Sequence, residues 1–170
     1  NAAGTGFTYC GYLGGANADY GKSIAVDAAG NAYLTGQTVS PETSFPVSIG
    51  PDLTFNNAPG SAYRDAFVAM VNAAGSELVY AGYIGGILDE LSYDIAVDIQ
   101  GSAYIVGATN SNESSFPVVV GPDLTYNGLA PELYADAFVA KVNPAGTGLL
   151  YAGYIGGWMS DWGMAIIVDD

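Results

Sequence analysis

Gly4-Thr-Gly-Phe-Thr-Tyr-Cys-Gly-Tyr-Leu-Gly-Gly15 returns as Gly75-Ser-Glu-Leu-Val-Tyr-Ala-Gly-Tyr-Ile-Gly-Gly86, and again as Gly146-Thr-Gly-Leu-Leu-Tyr-Ala-Gly-Tyr-Ile-Gly-Gly157. From 4 to 75 and from 75 to 146 the offset is 71 residues. The same offset carries Ile24-Ala-Val-Asp27 onto Ile95-Ala-Val-Asp98 and, with one substitution, reaches Ile167-Val168-Asp169. It carries Phe45-Pro-Val47 onto Phe116-Pro-Val118, Gly50-Pro-Asp-Leu-Thr54 onto Gly121-Pro-Asp-Leu-Thr125, and Asp65-Ala-Phe-Val-Ala69 onto Asp136-Ala-Phe-Val-Ala140. No gap is needed, and about half the positions of the first copy recur in the second. A period of this length marks a repeat architecture, here about 2.4 copies in 170 residues.

Within a copy the hydrophobic period is two and turn residues punctuate it, so the fold class is all-β. Four strands are expected per unit: strand a over 23–27, b over 32–38, c over 66–72 and d over 78–84. Gly30-Asn31 closes the a–b hairpin and Ala73-Ala-Gly75 the c–d hairpin. Between b and c, residues 39–64 hold Pro41, Pro46, Pro51 and Pro59, a density that excludes a central strand. Glycine content and β-branched or aromatic runs oppose helix throughout. Antiparallel four-stranded units with both faces apolar require stacking on their like, as propeller blades do. The expected division is residues 1–22 as a terminal strand d with its d–a loop, 23–93 and 94–164 as complete blades, and 165–170 as the start of a third. Tyr12, Tyr83 and Tyr154 keep register and are expected in the core; Cys10, whose counterparts are Ala81 and Ala152, is expected as a small buried residue. The start at Asn1, without a charged-then-apolar leader, is what a mature, processed or excerpted segment would show.

Composition closes several functional doors. Half the residues are apolar, yet no run is long enough for a membrane helix, so no membrane insertion is expected. With 17 acidic and 3 basic residues the net charge is −14, and Lys22, Arg64 and Lys141 are too few to neutralise phosphates; nucleic acid is not an expected partner. There is no histidine, hence no Ser-His-Asp triad and no imidazole zinc ligand. One cysteine makes no internal disulfide. The low-lysine, glycine- and tyrosine-rich acidic balance suits an extracellular protein.

The pattern Asp27-x-x-Gly30-Asn31-x-Tyr33-x-x-Gly36-x-Thr38, Phe45-Pro46, Asp65-Ala-Phe-Val68, Leu78-x-Tyr80-x-x-Tyr83-x-Gly85-Gly86 and Ile95-Ala-Val-Asp98 resembles the bacterial beta-propeller repeat family of the SBBP type. The resemblance covers essentially the whole chain. It implies a blade-forming repeat of secreted or cell-surface bacterial proteins, in longer arrays, and no catalytic residues. Two complete blades do not close a ring of four to eight, so further blades are expected from copies of the chain or further repeats of the same array, as a ring or filament.

Carboxylates are the only plentiful functional groups. Asp52-Leu-Thr54-Phe-Asn56 and Asp123-Leu-Thr125-Tyr-Asn127 place oxygens at alternating positions, a weak calcium signal set against an Asx-turn, which the preceding Gly-Pro equally predicts. Asp27, Asp98 and Asp169 follow a strand and are expected to cap backbone amides. Asp19, Glu90 and Asp161 keep a carboxylate in the d–a loop, either lining one end of the propeller or solvated, and Asp65 and Asp136 read as turn residues opening strand c. Trp158 and Trp162 flank Asp161, a grouping suited to stacking on sugar rings or to packing on an adjoining blade. Because most acidic positions recur copy by copy, the pattern is that of a scaffold, and no enzyme is expected.

Overall fold

In a computed structural model the chain is described at residues 1–58 and 60–169. Pro59, expected in the long loop, and Asp170, expected in the last turn, lie outside the described residues. Eight strands form among the described residues: β1 Asp19–Val26, β2 Ala32–Thr38, β3 Asp65–Val71, β4 Leu78–Ile84, β5 Glu90–Val97, β6 Ala103–Thr109, β7 Asp136–Val142 and β8 Leu149–Ile155. They make two antiparallel sheets in the orders β1-β2-β3-β4 and β5-β6-β7-β8, called blade 1 and blade 2 below. No helix occurs among the described residues. The tight hairpins turn on Gly30, Gly75, Gly101 and Gly146, with φ of 90°, 69°, 85° and 73°, a region L side chains avoid.

Strand a differs from expectation. It starts at Asp19 and Glu90, four residues early, because a bulge between Gly21 and Ser23, repeated between Ser92 and Asp94, breaks the alternation that marks a strand in sequence. The unit boundaries at 22/23 and 93/94 therefore fall inside β1 and β5. Strand c likewise starts at Asp65 and Asp136.

The proline-rich loop covers an edge. Ser48 N donates to Ala81 O at 3.2 Å, Ala81 N to Ile49 O at 2.7 Å and Tyr83 N to Asp52 O at 2.8 Å; residues 119–123 run along β8 in the same way. Outer strands that would otherwise offer free amides are thus blunted within the chain. The approach is so close that a Cβ on Gly82 would lie 2.6 Å from Gly50 Cα, which is why both positions are glycine in each copy.

The blades stack face to face. Tyr33, Ala66, Val68, Tyr80 and Ile84 of blade 1 form one buried cluster with Ile95, Ile105, Phe138, Ala140 and Tyr154 of blade 2. Polar contacts also cross the seam: Ser92 Oγ donates to Gly36 O and Ser23 Oγ to Asp94 Oδ1, both at 2.6 Å. The opposite face of blade 1 packs Phe67, Ala69 and Tyr83 under Phe45, with Leu13 and Phe55 at its margin. Phe45 lies 5.2 Å from Phe67 and 5.5 Å from Tyr83; Phe116 repeats this with Phe138 and Tyr154 at 5.3 and 5.4 Å. Tyr83 and Tyr154 are therefore core residues, as expected.

The flanking segments are not strands. Residues 1–18 and 156–169 join no ladder, because a d strand bonds to c and an a strand to b, and neither partner accompanies them. Their places on the stack are nonetheless kept. Tyr9 packs on Gly75 as Tyr80 packs on Gly146, leaving no room for a Cβ at either glycine. Gly163 N donates to Gly107 O at 3.0 Å, on the site that corresponds to the Ser92 contact with Gly36. Without an enclosing sheet Tyr12 and Cys10 are exposed, contrary to the buried positions expected of them.

Candidate functional site

The Asp-x-Thr-x-Asn loops are Asx-turns. Asp52 Oδ1 accepts from Thr54 N at 2.8 Å and Oδ2 from Asn56 Nδ2 at 2.8 Å. Asp123 repeats the pair with Thr125 N at 2.9 Å and Asn127 Nδ2 at 2.8 Å. These donors hold the Asp123 carboxyl below the usual range, the Thr125 amide contributing most. Both oxygens of each carboxylate already face donors, so the residues as arranged do not form a cation cage, and no group of three or more His, Cys, Asp or Glu side chains gathers among the described residues. A calcium ion there would have to displace the asparagine amide, and its fit is poor.

Asp27 and Asp98 cap the a–b turns. Asp27 accepts from Asn31 N at 2.9 Å and Asn31 Nδ2 at 2.7 Å; Asp98 accepts from Ser102 N at 2.8 Å and Tyr104 Oη at 3.1 Å. Burial opposes ionisation at both, but the donors outweigh it and each carboxyl lies below the usual range. Lys141 Nζ adds an ion pair to Asp98 at 3.1 Å, where blade 1 has Met70.

The carboxylates expected in the d–a loop are tethers instead. Asp19 Oδ2 accepts from Gly15 N at 2.7 Å, Glu90 Oε2 from Gly86 N at 2.6 Å and Asp161 Oδ2 from Gly157 N at 2.8 Å. Each closes the Gly-Gly connection leading out of a d-type segment. The hydroxyl of Thr38 completes Asp19 at 2.5 Å and that of Thr109 completes Glu90 at 2.6 Å. Glu90 is wholly buried, so it neither lines an open end nor meets solvent. The signal for this role was present in sequence: an acid four residues after the second glycine in all three copies.

Asp65 and Asp136 are wholly buried. Asp65 Oδ2 accepts from Asn56 N at 3.0 Å and Oδ1 from Asn57 Nδ2 at 2.7 Å. Burial pushes its carboxyl up to about 8, with the Glu90 and Asp52 charges adding to the effect. Glu90 is pushed up to about 7, again by burial, against the opposing Thr109 and Gly86 hydrogen bonds. Blade 2 differs around this carboxyl. Asn57 becomes Gly128, the hydroxyl of Tyr126 fills the space beside that glycine, and Asp136 Oδ1 has no partner.

Trp158 and Trp162 are 76% and 57% exposed, so neither packs on a blade in this chain. Asp161 between them is held by Gly157 N and by its own N–H to Ala135 O at 2.7 Å, which fixes the loop that presents both indoles.

Residues 9–41 and 79–113 match the family model for the SBBP beta-propeller repeat. Each match runs from a d-type segment through the Gly-Gly connection and strands a and b, so the chain carries this repeat at two places, as the motifs imply. No curated protein matches the chain.

Proposed function

We propose that this carrier of two beta-propeller repeats is an extracellular, bacterial cell-surface scaffold whose blades continue onto further blades, from copies of itself or from the same array, into a ring or filament. Its function is to stack, and it performs no catalysis. The observation that carries this reading is the equivalence of the two end faces with the seam inside the chain. Blade 1 buries Tyr33, Val68 and Tyr80 against blade 2. The corresponding Tyr104, Val139 and Tyr151 of blade 2 have no sheet over them and remain half-exposed. At the other end an apolar cavity of about 410 Å³ opens between Leu34, Val71 and Leu78 of blade 1 and Tyr9, Tyr12 and Leu13. In the seam the equivalent ground is filled by the neighbouring sheet. Surfaces that match an interface already formed are suited to form it again head to tail. Sedimentation and electron microscopy of native material test this: rings or filaments support it, and a sharp monomer mass at all concentrations overturns it.

A glycan-binding adhesive role is the second reading, favoured by the exposed Trp158 and Trp162 beside Asp161. A glycan array decides it, with binding lost in Trp158→Ala and Trp162→Ala.

A further inference from the structure

Gly85-Gly86 leads the chain out of blade 1 and into blade 2. Two buried carboxyls grip it. That of Asp65 lies against Gly85, so closely that a Cβ there would be 2.6 Å from Asp65 Cγ; that of Glu90 takes the Gly86 amide at 2.6 Å. Asp65 opens β3 of blade 1 and Glu90 opens β5 of blade 2, so the grip joins the blades as well as the connector. Glu90 N also donates to Arg64 O at 2.7 Å, directly before Asp65.

The hydrogen-bond donors to the pair are neutral: Asn56 N and Asn57 Nδ2 on Asp65, Gly86 N and Thr109 Oγ1 on Glu90, with the Ser111 hydroxyl and amide also turned to Glu90. The charged and titratable groups around them are acids as well. Asp52, from the long loop, faces Asp65 alongside Glu90, and Tyr83 of β4 and Tyr154 of β8 are the phenols that feel the two carboxyls. Arg64 directs its guanidinium to Asp89, at 3.6 Å. Two carboxylates enclosed without a cation repel each other and forgo hydration, so the closed form favours holding a proton.

We propose that Asp65 and Glu90 form a proton-dependent clasp on the Gly85-Gly86 connector, closed while the pair retains a proton and loosened when both ionise in mildly alkaline solution. The second connector is an internal control. There Asp136 lies buried against Gly156 as Asp65 does against Gly85, but Asp161, which holds Gly157 N, is half-exposed, so the two carboxyls are not enclosed together.

The test is amide exchange of Gly86 and Gly157 by NMR in the full chain at pH 6 and pH 9, each expressed as protection relative to the unstructured rate. Protection of Gly86 is expected to fall on the order of tenfold or more, since each unit separating closed and open pKa values is a factor of ten in the opening equilibrium; Gly157 is expected to hold. Asp65→Asn and Glu90→Gln should each shrink the fall. The inference is overturned if Gly86 keeps its protection, if Gly157 loses as much, or if the fall survives in both variants. If a variant does not fold, the wild-type comparison of Gly86 with Gly157 still decides.

Discussion

Tyr80 sits at the centre of the seam, wholly buried, 6.4 Å from the Tyr33 ring in an edge-to-face arrangement at 66° and pressed on Gly146 of blade 2. Its hydroxyl has no hydrogen-bond partner. Two substitutions therefore pull in opposite directions. Tyr80→Phe keeps the ring and removes a buried unsatisfied group, whose burial costs about 1–3 kcal/mol. Allowing for relaxation around the lost oxygen, we expect a gain of about 1 kcal/mol, or roughly 2–4 °C in Tm for a chain of this size. Tyr80→Ala empties the seam and costs about 3–5 kcal/mol. Because neighbouring repeats are coupled only through their interface, this loss should also split unfolding into two transitions. Tyr151, the equivalent on the open face of blade 2, is half-exposed, and Tyr151→Phe should change stability by less than about 0.5 kcal/mol. Scanning calorimetry of the variants is the assay. If Tyr80→Phe lowers Tm by several degrees, the hydroxyl has a partner and the seam is packed otherwise than described.

Three further outcomes are expected. Asp65 and Glu90, pushed up to about 8 and about 7, retain protons in the folded state that the unfolded chain, with ordinary carboxyls, has released above about 4. Their contribution to stability therefore falls as pH rises from about 4 to about 8. Asp27, Asp94 and Asp98 lie below the usual range and act oppositely, losing their contribution only in acid. Urea denaturation should accordingly show stability declining from pH 5 to pH 9, and a rise across that range would contradict the burial of the pair. Gly128→Asn should clash with the Tyr126 hydroxyl and cost about 1–3 kcal/mol, whereas Tyr126→Phe with Gly128→Asn rebuilds the Phe55, Asn57 arrangement, gives Asp136 Oδ1 a donor and should recover at least wild-type stability in the same assay. Asp52→Ala and Asp123→Ala should lower Tm equally with calcium or with chelator, and calcium should not raise the wild-type Tm; a large calcium shift abolished by these variants would restore the loops as metal sites.

Where side chains alternate cleanly, sequence and structure agree to the residue, as for strand b at Ala32–Thr38 and strand d at Leu78–Ile84. Strand a was four residues short because the bulges at Lys22 and Tyr93 reverse the alternation, and nothing local announces a bulge that the next strand accommodates. The Asx-turns and the capping by Asp27 and Asp98 were legible because their donors lie within six residues. The burial of Asp65 and Glu90 was not, since it depends on residues distant in the chain, such as Thr109, 19 residues from Glu90. For the same reason Cys10 and Tyr12 looked like core: identity at a repeat position fixes the environment only where the rest of the blade is present. The long loop read as connection because its prolines forbid a ladder partner on both sides, yet lying along β4 needs hydrogen bonds on one side alone.

Proximity of two residue pairs across the seam is the sharpest probe of the fold described here. Nuclear Overhauser spectra of the intact chain should connect the Tyr80 ring to the Gly146 α-protons, which the structure places in contact between blades, and the hydroxyl end of Tyr33 to Gly101, which its oxygen approaches. Strong cross-peaks are the expected result; their absence, with each sheet's internal cross-strand peaks intact, would mean that the two blades do not bury one another.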